Sequence, residues 1–526
     1  MRFKLHNKIV LFILLIVLNL ILRYPLTPHA IGWDTFEMLI LSNSVTDFGI
    51  AKWWINPLSI FGMYPFSYAS GELFLLSGFQ QVLNFDGDTI IFITSIFFAV
   101  LSIFSSYILA KVIRDDDYFK FIVSFVFSTC QGVLTLTTWQ GTTRALFVVL
   151  FPLYLYLLFN YTKSKNKYSI FILIIILFIF LGSVHHLFYF AAIVSILLFV
   201  VHAIYLAKDK FPKSPFSIKT MNTYLSPIIL LLLFIIMFSI PFFTGTLITS
   251  GGRYGGFITF ITIYIRYFSF FLLFALGGLF YLIFTNGKTF EDWIIVLILL
   301  IFTPFLWDQR YSIWFMLIFL SILTGISFLN SLRIISTNKK LYLPLLAFCL
   351  LITIAFSALF QIWIPGESDR NPYNERYIEE STFQSSLWVK TNINKIMTGV
   401  GVATESKRIS AISGKKILTG AEVSDFIYGF NDINSVKITK ISPLSTDFYK
   451  ENPYIIDRGG EMQSGTYLNE LGKQVVDSKF YNQFILEMNV SYAIENQEMY
   501  TKFYPSLQNS RNKIYENGKI RFWQLN

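Results

Sequence analysis

"RYPLTPHAIGWDTFEMLILSNSVTDFGIAKWW" occupies residues 23–54, directly after the first apolar run of the chain, and is too polar to remain in a bilayer. Around it the sequence is built from long Ile/Leu/Phe runs. Of 526 residues, 54% are hydrophobic, 18% aromatic and only 14% charged, whereas a soluble globular chain carries about 25% charge. A loop that places Asp34 and Glu37 beside so apolar a body therefore calls for an account of its own. The runs continue to about residue 364, and from Gly366 the composition becomes that of a water-soluble domain. Two domains are expected: 1–364 in the membrane, with an outer loop 24–88 carrying interfacial helices, and a soluble α/β domain over 365–526.

Charge supports this division. Residues 366–526 hold 19 Lys/Arg and 19 Asp/Glu, so the membrane part alone, with 23 basic and 13 acidic residues, carries the net +10. Its basic residues sit in short loops and form no patch on a folded module, which argues against a nucleic-acid partner. Cys130 and Cys349 both lie in apolar runs, so neither a disulfide framework nor a cysteine metal site is indicated.

A helix needs about 20 apolar residues to cross a bilayer. About eleven spans are expected on that basis: 8–23, 89–113, 119–136, 144–161, 168–184, 187–207, 224–242, 266–285, 292–306, 311–329 and 341–364. The first has the basic-then-apolar layout of a secretory signal, but no small-x-small cleavage site follows it. With a cytoplasmic N-terminus, alternating loops put 17 basic residues inside and 6 outside, as the positive-inside rule requires. An odd number of spans leaves the soluble domain outside. High Ile, Asn, Lys and Phe suggests an AT-rich prokaryotic genome, so a prokaryotic cell membrane is expected.

This orientation sorts the polar features. Asp115, Asp116 and Asp117 fall in a cytoplasmic turn, where a solvated loop is expected. On the outer side lie the loop 24–88, "TTWQGTTR" ending at Arg144, "GSVHH" with His185 and His186, "TSGGRYGG" with Arg253, and "LWDQRY" with Asp308 and Arg310. Span interiors are almost free of charge, unlike those of ion-coupled transporters, which need ionisable groups near the midplane. Binding or chemistry at the outer surface is the expectation that remains.

In the outer loop, Gly49, Pro57 and Pro65 break two helical stretches, and Trp53, Trp54, Tyr64 and Tyr68 suit interfacial anchoring. Asp34 falls at the start of the first stretch. Asp-x-x-Glu there is also close to a capping box, in which Asp34 and Glu37 would serve the backbone alone. Asp86-Gly87-Asp88 reads as a turn and N-cap into the second span. In the soluble domain, "STFQSSLWVKTNI" reads as a helix, "KIMTGVGVAT" and "NVSYAIEN" as strands, and "NKIYENGKIRFWQLN" as a hairpin turning at Asn517-Gly518.

The layout resembles membrane glycosyltransferases of the GT-C superfamily. The resemblance is carried by "GWDTFE" (32–37), "YPFSYASGELFLLSGF" (64–79), "RALFVVLFPLYLYLL" (144–158), "HH" (185–186) and "DQRYSIWF" (308–315). It implies a polytopic α-helical membrane protein with a GT-C-like catalytic part and an extracytoplasmic α/β domain. It also implies a polyprenyl-phosphate-linked sugar donor and a lipid, glycan or protein acceptor. Asp34 would be the general base of an inverting transfer, and Arg253 and Arg310 are the first candidates for the donor phosphate, followed by Arg144, His185 and His186. Glu37 and Asp308 are supporting or acceptor-binding candidates. The Trp-Trp-Asp-Tyr-Gly signature of oligosaccharyltransferase catalytic subunits is absent, and residues 137–143 hold no acidic pair, which argues against asparagine-directed transfer.

Each candidate has a plainer reading. Interfacial Arg and His snorkel to headgroups, and Asp308 suits an ion pair with Arg310. The His185-His186 spacing is not that of a zinc site, whereas a divalent cation, Mg²⁺ or Mn²⁺, on Asp34 and other outer carboxylates is compatible with the sequence. Rival functions are a polysaccharide polymerase or lipid-linked glycan flippase, and a membrane scaffold whose outer domain binds a partner.

Overall fold

The computed structural model describes residues 3–25, 27–49, 63, 69–207, 227–244, 255–307, 311–335, 344, 347–359, 378–401, 403–418, 490–498, 508–509 and 511–525. They fall into two compact units. The first comprises Met1–Tyr24, Ile96–Thr138 and Arg144–Ile362, and the second comprises Pro25–Ser95, Trp139–Thr143 and Trp363–Asn526. In chain order the helices are α1 (Leu5–Leu22), α2 (Trp33–Phe48), α3 (Gly71–Leu83), α4 (Gly87–Ile113), α5 (Asp117–Thr129), α6 (Gln131–Thr137), α7 (Thr143–Lys163), α8 (Lys167–Val184) and α9 (Phe188–Ala207). There follow α10 (Pro227–Phe243), α11 (Gly255–Phe268), α12 (Phe271–Phe284), α13 (Phe290–Phe302), α14 (Ser312–Ile335), α15 (Ala347–Leu359), α16 (Glu380–Asn392) and α17 (Ala403–Ser413).

Among the described residues six helices are long and apolar enough to cross a membrane: α1, α4, α7, α8, α13 with its 3-10 extension to Trp307, and α14. Two bent pairs, α5–α6 at 53° and α11–α12 at 101°, raise the number to eight, while Phe188–Ile204, α10 and α15 are apolar but shorter. The expected count of eleven is therefore not confirmed, although each expected span overlaps one of these helices. Residues 266–285, expected as one span, contain the sharper bend, at Ser269 with φ of 60°.

The first unit is organised around α14, which is buried along nearly its whole length. Helices in a membrane gain little from hydrophobicity against lipid, so close backbone packing at small residues holds them together. A Cβ on Gly278 of α12 would lie 2.0 Å from the Leu323 carbonyl oxygen of α14. On the α5–α6 side, Gly325 packs against Val123 and Phe119, and Gly132 packs against Leu317. The end of α1 is tied to α5 and α6 by buried Arg23, whose Nη2 donates to Ser128 O (3.2 Å) next to the bend and whose Nε donates to Thr137 Oγ1 (2.9 Å) at the end of α6. Asp117, expected in a solvated turn, is buried between Lys8 Nζ (2.9 Å) and Lys120 Nζ (2.7 Å).

The second unit joins residues of the first long loop and of the C-terminal segment in one core. Phe36, Leu39, Ile40, Leu73, Leu76 and Ile90 pack with Ile378 and Ala411. Helix α2 is buried at Met38–Leu41 without a break, the burial of a core helix. The expected anchors Trp53, Trp54, Tyr64 and Tyr68 lie outside the described residues. The C-terminal sheet has strands β1 (Thr398–Gly401), β2 (Ile417–Leu418), β3 (Val490–Asn496), β4 (Lys513–Asn517) and β5 (Ile520–Gln524), in the order β2-β1-β3-β5-β4. Strand β1 runs parallel to β2 and β3, while β5 is antiparallel to β3 and β4, with Ala493 opposite Trp523. The hairpin turns where Asn517-Gly518 indicated, with Gly518 at φ 57°. Val389, Ile409, Tyr492, Ile494, Ile520 and Phe522 form the core of this sheet and its helices α16 and α17.

Candidate active site

Asp34 is the second residue of α2 and is half-buried. The helix starts at Gly32 rather than at an aspartate cap, because Gly32 sits at φ 104°, a conformation that side chains rarely adopt. A Cβ there would also meet Gln140 Nε2 at 2.7 Å. The sequence expectation of a capping box is thus displaced. The N-cap carries no side chain, and Glu37 instead accepts from Lys407 Nζ on α17 at 2.7 Å.

A strap over residues 139–142 fixes the start of α2. Trp139 O accepts from Ile31 N (3.1 Å), and the Thr35 hydroxyl accepts from Gly141 N (2.9 Å) while donating to Ile31 O (2.5 Å). Trp139 Nε1 donates to Asp88 O at 3.2 Å. The same strap meets Glu72 at the start of α3, where the Thr142 N–H donates to the carboxylate. Glu72 is buried and its Oε2 has no hydrogen-bond partner. Burial therefore pushes its pKa well above the usual carboxyl range, against the smaller opposite effect of Thr142.

Asp86 caps α4 as expected, accepting from Thr89 N at 2.8 Å. Asp88 has a different role: its Oδ2 lies 3.3 Å from His29 Nδ1, and Glu380 Oε2 of α16 lies 3.1 Å from His29 Nε2. The buried imidazole also stacks on Phe383 with centroids 3.7 Å apart. Burial opposes its charge, but the two carboxylates outweigh burial and the His29 pKa is raised.

In the first unit, Arg144 lies in the first turn of α7 and His185-His186 occupy the turn between α8 and α9. The two imidazole centroids are 4.0 Å apart, and His186 meets the Tyr311 ring edge-on at 4.6 Å. His185 Nδ1 accepts from Leu187 N at 3.1 Å, which leaves the proton of the neutral ring on Nε2 as a donor. Burial first, then the charges of His186 and Arg144, lower the His185 pKa well below the ordinary value. Burial and Arg144 bring that of His186 to about 4. The cluster therefore offers one permanent guanidinium, neutral imidazoles and a phenol, donors that suit phosphate oxygens.

Thus Arg144, His185 and His186 are brought together, with Tyr311 as a neighbour that the sequence did not single out. Arg253, Asp308 and Arg310 lie outside the described residues. Among the described residues no group of three His, Cys, Asp or Glu side chains is placed to hold a metal ion. Glu72, His29 and Lys407 were missed by sequence reasoning. Glu72 alone left a trace, as a carboxylate followed directly by the apolar run Leu73–Leu76.

No protein-family model and no curated protein matches the sequence. Solved structures do match the fold. The oligosaccharyltransferase of Archaeoglobus fulgidus, tethered to an acceptor peptide containing the NVT sequon, aligns with a TM-score of 0.56 at 12% identity, over 96% of this chain and 70% of that one. ArnT from Cupriavidus metallidurans, bound to undecaprenyl phosphate, aligns with a TM-score of 0.56 at 10% identity, over 99% of this chain and 98% of that one. Both are GT-C glycosyltransferases, and the present chain has the GT-C fold.

Proposed function

We propose that this protein is an integral membrane glycosyltransferase that moves a sugar from a polyprenyl-phosphate-linked donor to an acceptor hydroxyl on the extracytoplasmic face. The observation that carries the reading is the alignment with ArnT, which spans nearly the full length of both chains and whose partner was solved with a polyprenyl phosphate. The chemistry of this chain's own residues is consistent with it. Asp34 takes the proton as the acceptor oxygen attacks the anomeric carbon from the face opposite the phosphate. The bond from that carbon to the phosphate oxygen breaks with its electron pair, the carrier leaves as polyprenyl phosphate, and the configuration inverts. A positioned base contributes about 10²- to 10⁴-fold.

The leaving phosphate gathers negative charge, and fixed donors in a dry site stabilise it most strongly. Arg144 supplies the permanent cation, and His185 Nε2–H and the Tyr311 hydroxyl supply neutral donors. Arg253 and Arg310 have the same guanidinium chemistry and belong to this proposal as further phosphate ligands. Asp308 belongs to it as a supporting group.

The test supplies membranes containing wild type or Asp34→Asn with radiolabelled polyprenyl-phosphate sugars and follows transfer. Loss of product with intact expression and donor binding is expected. Transfer by Asp34→Asn at the wild-type rate would remove the base role.

A further inference from the structure

Glu37 and the helix that carries Asp34 are held by a residue of the C-terminal domain that no reading of the outer loop includes. Lys407 lies on α17, its side chain is fully buried, and its Nζ is 2.7 Å from Glu37 Oε1. Glu37 follows Asp34 by three residues, about 4.5 Å along the axis and on neighbouring faces. A bond at Glu37 therefore fixes the rotation of α2 where Asp34 projects. Further along α2, Asn43 Nδ2 donates to the Ala411 carbonyl at the end of α17 (2.9 Å). Thr46 and Ser77 hydroxyls meet at 2.8 Å, so α3 holds another face. The pair adds little net stability, because desolvating Lys407 offsets much of its attraction to Glu37. Its directional bond does define one arrangement of the helix.

We propose that Lys407 is a positioning residue for transfer: through Glu37 it sets the orientation of Asp34, which makes the C-terminal domain a working part of the catalytic unit. The proposal rests on the reading of Asp34 as the base. Misplacing a reacting group by about 1 Å costs up to about 10²-fold in rate.

Full-length protein in membranes, carrying Lys407→Met, Glu37→Met or both, would be compared with wild type and Asp34→Asn in the labelled-donor assay. Methionine fills the lysine's space without its charge. Each single variant is expected to lower kcat by about 10- to 100-fold, with donor KM within about twofold of wild type. The double variant should be no slower than the slower single one, because both remove the same bond. Singles within about twofold of wild-type kcat, beside an inactive Asp34→Asn, would overturn the positioning role and leave the base in place. Multiplying losses in the double variant would overturn it too. An active Asp34→Asn would remove both readings. Should Lys407→Met fail to accumulate, Glu37→Met, which removes the acceptor at a partly exposed position, decides the matter alone.

Discussion

Glu72→Gln isolates the cost of a buried carboxyl. Glu72 is 1% exposed, its Oε2 has no hydrogen-bond partner, and the Thr142 N–H is the one opposing influence on its raised pKa. Below the ordinary carboxyl pKa both folded and unfolded chains hold the proton, and the group costs nothing. As pH rises past that value the unfolded chain releases its proton while the folded chain keeps it. Stability then falls by about 1.4 kcal/mol per pH unit until the folded pKa is passed. Glutamine keeps an oxygen for Thr142 but cannot ionise. Its extra amide hydrogen costs about 1–3 kcal/mol if unsatisfied, so the sign of the difference at one pH is not diagnostic, whereas its slope is. Thermal unfolding of both purified proteins in detergent, from about pH 5 to about pH 8, gives the difference at each pH with shared titrations cancelled. The variant should gain on wild type by about 2–4 °C per kcal/mol for a unit of 150–250 residues. A difference that stays flat across the range would refute a protonated Glu72.

Gly278→Ala should destabilise the first unit by about 1–3 kcal/mol or more, because its Cβ would sit 2.0 Å from a backbone oxygen. Gly277→Ala, whose Cβ meets only Ser327 Oγ at 3.1 Å, is the milder comparison, and equal melting temperatures for the two variants would contradict the packing. For His29 the folded pKa is raised, so its contribution is fully present below the ordinary imidazole pKa and is lost as pH rises through the folded value. Hydrogen exchange over Glu380–Asn392, corrected for intrinsic rates, should quicken between about pH 6 and about pH 8.5 in wild type. The same change in His29→Gln would sink the assignment.

What the sequence disclosed was local. Apolar runs located most membrane helices because a bilayer sets a length and a composition that one segment satisfies by itself. Asn517-Gly518 announced its hairpin, since a tight turn needs φ above zero at the glycine. The 101° bend at Ser269 left no such mark: neither proline nor glycine stands at the break. At Asp34 the local rule misled. Asp-x-x-Glu matches a cap, yet a distant glutamine, Gln140, excludes any side chain at Gly32 and a distant lysine takes Glu37. The burial of Asp117 has the same cause, since Lys8 reaches it from 109 positions away.

Those distant partners bear on how the second unit assembles. Glu37 and Lys407 are 370 positions apart, and His29 and Glu380 are 351 apart. The entropy of closing so long a loop grows only as the logarithm of its length, so distance adds little to the cost of the finished contact. Its effect falls on the order of events. The core that buries Phe36 and Leu39 includes Ile378 and Ala411, so α2 lacks part of its packing until the C-terminal segment has been made. During chain elongation Asp34 therefore reaches its final setting late, after the residues that follow it in the membrane have been synthesised. A truncation before residue 378 removes Ile378, Phe383, Lys407 and Ala411 together, and any loss of the proposed transfer activity would report α2 placement as much as the loss of any surface on the C-terminal segment.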